Sequence, residues 1–267
     1  TRYWRDWSSD VCSSDLETLF RDQTRLVFME SPGSVTFEMQ DVPAIARACA
    51  DRGIVSVIDN TWATPLGFRP IEHGVDVVVH ALTKYVGGHS DVMLGAVTAR
   101  TRSIWNRLKH TAMDLGHGAS PDDAWLALRG LRTLAARLDA QEKSALQLAA
   151  WLRGRPEVKR VLHPALDGDP GNTIFRRDFD RACGVFGVLL HEVDRPALAR
   201  MLEGMQVFEL GYSWGGFESL VIPQHPLSER TAVPFAESGT LLRVSVGLES
   251  TEDLAEDLAA GLERLHA

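Results

Sequence analysis

The sequence predicts an α/β fold built around a parallel sheet. Residues 55–58 and 75–79 form two short apolar runs that are rich in β-branched residues and bounded by polar residues and glycines. Such continuous runs are typical of strands that are buried on both faces of a parallel sheet. A strand-like run at residues 25–29 and a helix-like stretch at residues 41–53 precede them. Together they give the strand–helix–strand order of a right-handed crossover.

Local signals mark the first helix and a fourth strand. Asp41 is suited to cap the helix, Pro43 falls in its first turn and Gly53 ends it. After the third strand the chain passes Lys84 and a pair of glycines, and residues 94–99 then predict a fourth strand.

The second half of the chain begins with a long helical passage. Ser120 followed by Pro121 predicts a helix start. Apolar residues recur at helical spacing through residues 124–152, interrupted by Gly130, and we place a domain boundary near Leu138 within this passage. Further predicted elements are strands at residues 158–162, 185–193 and 241–246 and helices at residues 196–202 and 251–265. This mixture suits a smaller α+β domain.

Composition and charge predict a cytoplasmic globular protein. The 267 residues are 45% hydrophobic, enough for one large domain or two smaller ones. A net charge of −8 argues against a general nucleic-acid binder, and no run is long and apolar enough to span a membrane. The cysteines Cys12, Cys49 and Cys183 are isolated, so we expect no disulfide framework. The histidines show no metal-binding spacing, so we expect no metal site.

Asp59 and Lys84 are the first candidates for chemistry, because each follows a predicted strand. In open α/β sheets the ligand crevice lies beyond the carboxyl ends of the strands. An acid and an amine at that edge suit pyridoxal phosphate, which needs a lysine for its Schiff base and a carboxylate for its pyridinium nitrogen. The neighbours His89, Ser90 and Asp91 have the residue types of a catalytic triad, but sequence neighbours rarely meet in that geometry.

Three motifs carry a resemblance to a known family. They read DNTWATP from Asp59, ALTKYVGGHSD from Ala81 and SWGGFESL from Ser213. In this order and spacing the chain resembles the pyridoxal-phosphate enzymes of cysteine and methionine metabolism, and within them the β-lyase branch. The resemblance implies a type I PLP-dependent transferase fold, like that of aspartate aminotransferase. It begins near Glu17, so we expect residues 1–16 to be a non-native leader.

The resemblance also implies how the chain divides into domains and which cofactor-binding groups it lacks. Residues 17–138 would form part of a large cofactor-binding domain, and residues 139–267 the small α+β domain. Family members carry further cofactor groups that match no residue here: an aromatic residue stacked on the ring, a glycine-containing phosphate loop, and a tyrosine and an arginine from a neighbouring subunit. We therefore expect an N-terminally truncated fragment that is weakly active or inactive.

The roles of the cofactor-binding residues follow from the same resemblance. Lys84 would hold pyridoxal phosphate and then act as the proton shuttle. Asp59 would keep the ring nitrogen protonated. Thr83 would offer its hydroxyl to the cofactor phosphate, whereas Ala81 stands where many relatives carry a serine.

Four further residues are implied to meet the substrate. Arg243, in LLRVSVGLE, would bind the α-carboxylate with its two-pronged guanidinium, and Ser213 would assist it. Tyr212 is a candidate catalytic residue. Trp214 is an aromatic of the kind that β-lyases carry, whereas relatives acting at the γ-carbon usually have a smaller aliphatic residue there.

The expected activity is β-elimination of L-cystathionine to homocysteine, pyruvate and ammonia. The alternatives are a γ-acting relative (cystathionine γ-synthase, cystathionine γ-lyase or methionine γ-lyase) and a non-catalytic binding or regulatory protein. The expected partners are a small amino-acid substrate and further copies of the chain in a homotetramer, with neither nucleic acid nor membrane.

Overall fold

The computed structural model describes residue 16, residues 19–225 and residues 235–266, and these form two sheets. The first sheet has the order β1-β2-β3-β4. Its strands are β1 (Leu26–Glu30), β2 (Val55–Asp59), β3 (Val77–Ala81) and β4 (Gly95–Ala99). β1, β2 and β3 are parallel, whereas β4 is antiparallel to β3. The predicted parallel sheet is therefore confirmed, with an antiparallel strand at one edge.

The second sheet is mainly antiparallel and has the order β5-β6-β9-β8-β7. Its strands are β5 (Val158–Leu162), β6 (Val185–Leu190), β7 (Glu209–Leu210), β8 (Leu220–Gln224) and β9 (Thr240–Ser245). β9 lies between β6 and β8, so Arg243 on β9 is flanked by Gly187 and Ile222. An interior strand thus carries the candidate substrate-binding arginine.

Two of the described helices begin at the caps that the sequence predicts, Asp41 and Ser120. The bounds of the helices are α1 (Val42–Asp51), α2 (Thr64–Gly67), α3 (Arg102–Asp114), α4 (Pro121–Leu131), α5 (Leu134–Leu152), α6 (Asn172–Asp178), α7 (Arg195–Glu203) and α8 (Thr251–Glu263), with 3-10 turns at Pro70–His73 and Arg264–His266. The Asp41 carboxylate accepts a hydrogen bond from the N–H of Ala44, and the Ser120 hydroxyl accepts one from the N–H of Asp123. These side chains satisfy N–H groups that have no partner within their helices.

Some element boundaries differ from the predicted ones. The third strand spans β3 and ends at Ala81, two residues later than expected. The predicted helical passage is two helices, α4 and α5, and the break falls at residues 132–133 rather than at Gly130. Gly130 lies within α4, where the missing side chain lets the helix approach another backbone: a Cβ there would lie 2.3 Å from the carbonyl oxygens of Val86 and Gly87.

Two hydrophobic cores meet along α5. Leu134 and Leu138 belong to the first core with Met29 and Ile58, and that core extends to Leu189 of the second sheet. The second core packs α5, from Ala145 onward, against the second sheet and α8. The domain boundary near Leu138 therefore lies inside a helix that serves both cores, and it stays a prediction. Of the expected leader, only Leu16 is among the described residues, where it packs against the first core; the remainder lies outside them.

The first sheet has one apolar face that is partly exposed, which we call the apolar sheet face. It borders a groove of about 780 Å³ whose far wall is α3. Its strand residues are Leu26, Phe28, Val55, Val57, Val77, Val79 and Val97. Because side chains alternate along a strand, Glu30 and Asp59 point to this same side at the carboxyl ends of β1 and β2.

Candidate active site

The three parallel strands of the first sheet bring polar residues to one edge. Glu30 and Asp59 end β1 and β2 and are direct neighbours in the strand register. β3 ends at Ala81, and a tight turn follows in which the N–H of Lys84 donates to the carbonyl of Ala81 (3.0 Å). Asp59 thus ends a parallel strand and Lys84 follows one, so both lie at the carboxyl edge of the sheet.

The amine of Lys84 is held by the loop at residues 211–216. Its Nζ donates a hydrogen bond to Ser213 Oγ (2.9 Å) and lies 5.3 Å from the ring centre of Trp214. Burial, and then the positive charge of Arg243, lower the pKa of Lys84. A lowered pKa increases the fraction of neutral amine at neutral pH, and the neutral amine is the nucleophilic and basic form.

A glycine lets this loop approach the lysine turn. Gly215 has a φ of 77°, and a Cβ there would lie 3.0 Å from the backbone nitrogen of Tyr85 and 3.3 Å from the carbonyl carbon of Lys84. The neighbouring Trp214 ring packs edge-on against the Tyr85 ring, with centroids 5.5 Å apart. Any larger residue at position 215 would therefore separate the loop from Lys84.

Arg243 combines anchored and free donors. Its Nη2 donates to the backbone carbonyls of Gly211 (3.1 Å), Tyr212 (2.7 Å) and Ser213 (3.1 Å). Its Nε is buried and has no hydrogen-bond partner. Among the described residues no carboxylate forms an ion pair with this guanidinium, and burial lowers its pKa. An unpartnered buried donor on a charged group is costly, so the arrangement suits an anionic ligand such as a carboxylate.

The acidic side of the edge contains an unusual carboxyl group. Asp59 Oδ1 accepts a hydrogen bond from the N–H of Thr61 (2.8 Å). Next to it, Glu30 accepts hydrogen bonds from the N–H and hydroxyl of Ser34 (3.1 and 2.7 Å). Desolvation nonetheless raises the pKa of Glu30 to about 7, and the charge of Asp59 adds to the rise. Desolvation also lowers the pKa of His80, against the charge of Asp59.

Thr83 and Tyr212 lie at the site with different surroundings. The Thr83 hydroxyl donates to the carbonyl of Leu94 (3.3 Å) and accepts from its N–H (3.0 Å), so its proton is already in use within the turn. The Tyr212 side chain is 83% exposed, and its backbone carbonyl binds Arg243. The structure therefore brings Lys84, Ser213, Trp214 and Arg243 into one cluster, whereas Asp59 and Thr83 lie at the same edge without hydrogen bonds to that cluster.

Sequence reasoning missed three residues around this cluster. Tyr85 is 1% exposed, and its hydroxyl accepts a hydrogen bond from the N–H of Gly184 (2.8 Å). Glu30 ends β1 as Asp59 ends β2, but no motif marks it. Arg137 on α5 reaches the backbone of the lysine turn. Its sequence signal was a charged residue on the helix face that also carries Leu134 and Leu138.

The chain matches the family described as Cys/Met metabolism PLP-dependent enzymes over residues 6–263. It belongs to that family. The family resemblance is thus confirmed, and pyridoxal phosphate is the family's cofactor. A relative from Rhizobium johnstonii is 47% identical over 251 residues, which are 92% of this chain and 63% of the relative. A cystathionine β-lyase of Salmonella typhimurium is 40% identical over 97% of this chain and 67% of its own length. The chain thus spans about two thirds of these relatives.

Solved structures of the family share the fold. A cystathionine γ-synthase from Xanthomonas oryzae, in complex with aminoacrylate and cysteine, superposes with a TM-score of 0.83 at 37% identity. The superposition covers 91% of this chain and 64% of that one. The type I PLP-dependent fold expected from the motifs is therefore confirmed.

Two residues of the cluster and the nearby Asp59 fit the family's cofactor and an amino-acid substrate. Lys84 supplies a desolvated amine, Asp59 a carboxylate at the next strand end and Arg243 an unpartnered donor for an amino acid carboxylate. Among the described residues, no three His, Cys, Asp or Glu side chains come together to hold a metal ion. Within the same residues no helix has both the length and the apolar character needed to cross a membrane.

Proposed function

We propose that this protein is a carbon–sulfur lyase that uses pyridoxal phosphate to cleave L-cystathionine by β-elimination. The reaction consumes one water molecule and gives homocysteine, pyruvate and ammonia. The observation that supports it best is the position of the Lys84 amine, hydrogen-bonded to Ser213 and over Trp214, with Arg243 anchored to the same loop. A binding protein would have no need of this combination.

Lys84, Asp59 and Thr83 would hold the cofactor. Lys84 would attach it covalently through its neutral amine, and Asp59 would pair with the ring nitrogen. Thr83 would exchange its hydrogen bond to Leu94 for one to the phosphate. When bound, pyridoxal phosphate supplies an electron sink for the bond broken at the substrate α-carbon.

Arg243, Ser213 and Lys84 would then handle the substrate. Nε of Arg243 would donate to the α-carboxylate, which would relieve its unpartnered state, while Nη2 keeps the loop in place. Once the substrate's amino group has replaced Lys84 on the cofactor, the freed Lys84 amine would remove the proton from the α-carbon, and its lowered pKa makes the proton-accepting form available. The Ser213 hydroxyl would keep that amine oriented, and the exposed phenol of Tyr212 would serve as a further catalytic group.

Trp214 is the basis for preferring β-elimination. Its indole contacts both the Tyr85 ring and the Lys84 amine, and would so narrow the space beside the reacting group. The similarity to a cystathionine γ-synthase supports a second candidate, elimination or replacement at the γ-carbon. We also propose that the protein assembles as a homotetramer in the cytoplasm, as the family resemblance implies.

Covalent trapping tests the role of Lys84. The purified protein is mixed with pyridoxal phosphate and reduced with borohydride, which converts a Schiff base into a stable amine, and the modified peptide is located by mass spectrometry. We expect modification at Lys84, its loss in Lys84→Ala, and no change in Lys143→Ala, whose side chain is exposed on α5. Equal modification of many lysines, without preference for Lys84, would contradict the cofactor role.

Product analysis separates the two reactions. Pyruvate from cystathionine indicates β-elimination and 2-oxobutanoate indicates γ-elimination. We expect slow turnover by this truncated chain, with pyruvate as the product of the wild type and a larger share of 2-oxobutanoate from Trp214→Val, because the smaller side chain widens the pocket. A wild type that forms 2-oxobutanoate alone would favour the γ-acting candidate.

A further inference from the structure

Arg137 reaches from α5 into the turn that carries Lys84. The residue is 6% exposed. Its Nη1 donates to the carbonyl of Tyr85 (2.7 Å), and its Nη2 donates to those of Gly130 (2.8 Å) and Val86 (3.3 Å). Its Nε donates to the Thr133 hydroxyl (3.0 Å). All three nitrogens of the guanidinium are therefore engaged.

The partners of Arg137 are neutral oxygen atoms. No ion pair joins this guanidinium to a carboxylate among the described residues, and desolvation lowers its pKa. A buried cation without a counter-ion is costly unless several acceptors surround it. The carbonyl of Gly130 lies in the last turn of α4, where the helix dipole adds negative potential. Arg137 thus needs the turn after Lys84 to keep its carbonyls in place, and the turn is restrained in return.

The turn fits closely around the guanidinium. Gly88 has a φ of 68°, and a Cβ there would lie 1.9 Å from Nη1 of Arg137. The N–H of Gly88 closes the turn by donating to the carbonyl of Lys84 (2.7 Å), and the N–H of Gly87 donates to that of Leu82 (2.7 Å). The backbone on the carboxyl side of Lys84 is therefore fixed by Arg137 and by these two internal hydrogen bonds.

We propose that Arg137 is a positioning residue, whose forked hydrogen bonds to the backbone of residues 85 and 86 hold the Lys84 amine against Ser213 and Trp214. The inference rests on the proposed function of Lys84, but the positioning that it describes is a property of the protein without cofactor or substrate. If Arg137 were lost, the turn would relax, and the amine would gain solvent and move away from Arg243. Both changes would raise the pKa of Lys84, because burial and the charge of Arg243 are what lower it.

Competitive acetylation measures this effect without cofactor or substrate. The chain is labelled with a trace of acetic anhydride over a range of pH beside a lysine-containing reference peptide, and acetylation of Lys84 is read by mass spectrometry. We expect Arg137→Lys to shift the labelling midpoint of Lys84 upward by about 0.5 pH unit or more. This variant keeps the positive charge and loses the fork. Faster amide hydrogen exchange at Gly87 and Gly88 should accompany the shift.

The matched control is Arg181→Gln. Arg181 binds α5 as well, through Asp139 (2.6 Å) and Glu142 (2.9 Å), and hydrogen-bonds to no residue of the lysine turn. The Arg181→Gln variant should have a lower urea midpoint of unfolding and the same labelling midpoint of Lys84 as the wild type.

Two results would overturn the proposal. One is an Arg137→Lys variant that unfolds more easily but labels and exchanges like the wild type, which would make Arg137 purely structural. The other is an upward shift of the Lys84 labelling midpoint in Arg137→Gln but not in Arg137→Lys, which would mean that the charge of Arg137, and not its forked hydrogen bonds, is responsible. If neither variant folds, Gly88→Ala, which displaces the intact arginine, should give the same upward shift, and an unchanged midpoint there would also overturn the proposal. Because acetylation uses no cofactor, each result is independent of whether the proposed reaction occurs.

Discussion

The two sheets of this protein differ in how completely their faces are covered by the described residues. Each residue of β6 in the second sheet is buried, whereas in β4 of the first sheet Val97 is 53% exposed and in β1 Phe28 is 47% exposed. The first sheet nevertheless carries Asp59 and Lys84. The second sheet contributes Arg243 from β9, an interior strand that is paired on both sides, and this residue anchors the loop that contacts Lys84. Both sheets therefore contribute to the candidate site, although the first leaves more of its apolar surface exposed.

Truncation of one aromatic residue in each sheet should give the largest contrast. Phe186 on β6 is fully buried and belongs to the second core. We expect Phe186→Ala to lower the free energy of unfolding by about 3–5 kcal/mol, and Phe28→Ala by less than about 1 kcal/mol. Urea unfolding followed by circular dichroism measures both. Equal losses would mean that the apolar sheet face is covered in solution, for example by association.

Acidification should weaken the second sheet through His163, which follows β5. Its ring is completely buried, its Nδ1 accepts a hydrogen bond from the N–H of Ala165 (3.2 Å) and its Nε2 has no partner. Burial lowers its pKa from 6.5 to about 4. Between these values the unfolded chain binds more protons, so stability falls by about 3 kcal/mol as the pH drops from 6.5 to 4.

The comparison of His163→Asn with the wild type isolates the contribution of His163 protonation to the pH dependence of stability. The asparagine amide oxygen can replace the Nδ1 acceptor but takes up no proton, so urea midpoints measured from pH 4 to pH 7 should fall less steeply on acidification than those of the wild type. His191→Gln, at an exposed position, is the control and should keep the wild-type slope. Identical slopes for all three proteins would show that His163 is solvated in solution.

Glu30 in the first sheet should act with the opposite sign. Its pKa rises from 4.5 to about 7, chiefly through desolvation. Between these values the folded chain binds more protons, so stability falls as the pH rises from 4.5 to about 7, by at most about 3 kcal/mol. Glu30→Gln should remove this loss and be more stable than the wild type at pH 8, whereas Glu203→Gln on the exposed side of α7 should change little. A Glu30→Gln variant that is less stable at pH 8 would contradict desolvation as the cause.

A volume-conserving pair of substitutions should give the smallest effect. Val97→Thr on the apolar sheet face places a hydroxyl where water can reach it, and we expect a change below about 0.5 kcal/mol. Val188→Thr on β6, where the residue is 2% exposed, should cost about 1–3 kcal/mol because the hydroxyl has no partner. Thermal unfolding of the two variants under identical conditions makes the test, and a costly Val97→Thr would again indicate a covered face.

Local sequence signals were sufficient to predict the first sheet and the positions of Asp59 and Lys84 at its carboxyl edge. Asp59 and Lys84 could be placed together because carboxyl ends of parallel strands share an edge, and Asp41 and Ser120 could be assigned as caps because a cap bonds within three residues. The sequence patterns did not predict the strands β7 and β8. β8 contains Pro223, which the strand pattern disfavours, and it is fixed by pairing with β9.

The sequence by itself determined the family, the cofactor class and the main elements, because motifs, caps and periodicity act over a few residues. Only the tertiary structure decided which side chains position Lys84. The bond from Lys84 to Ser213 spans 129 positions, and those from Arg137 to the lysine turn span 51 and 52. Contacts at such separations leave no period in the sequence, since they depend on how α5 and the second sheet pack against the first. The depressed pKa of Lys84 and the unpartnered Nε of Arg243 exist only after that packing has removed water from both groups.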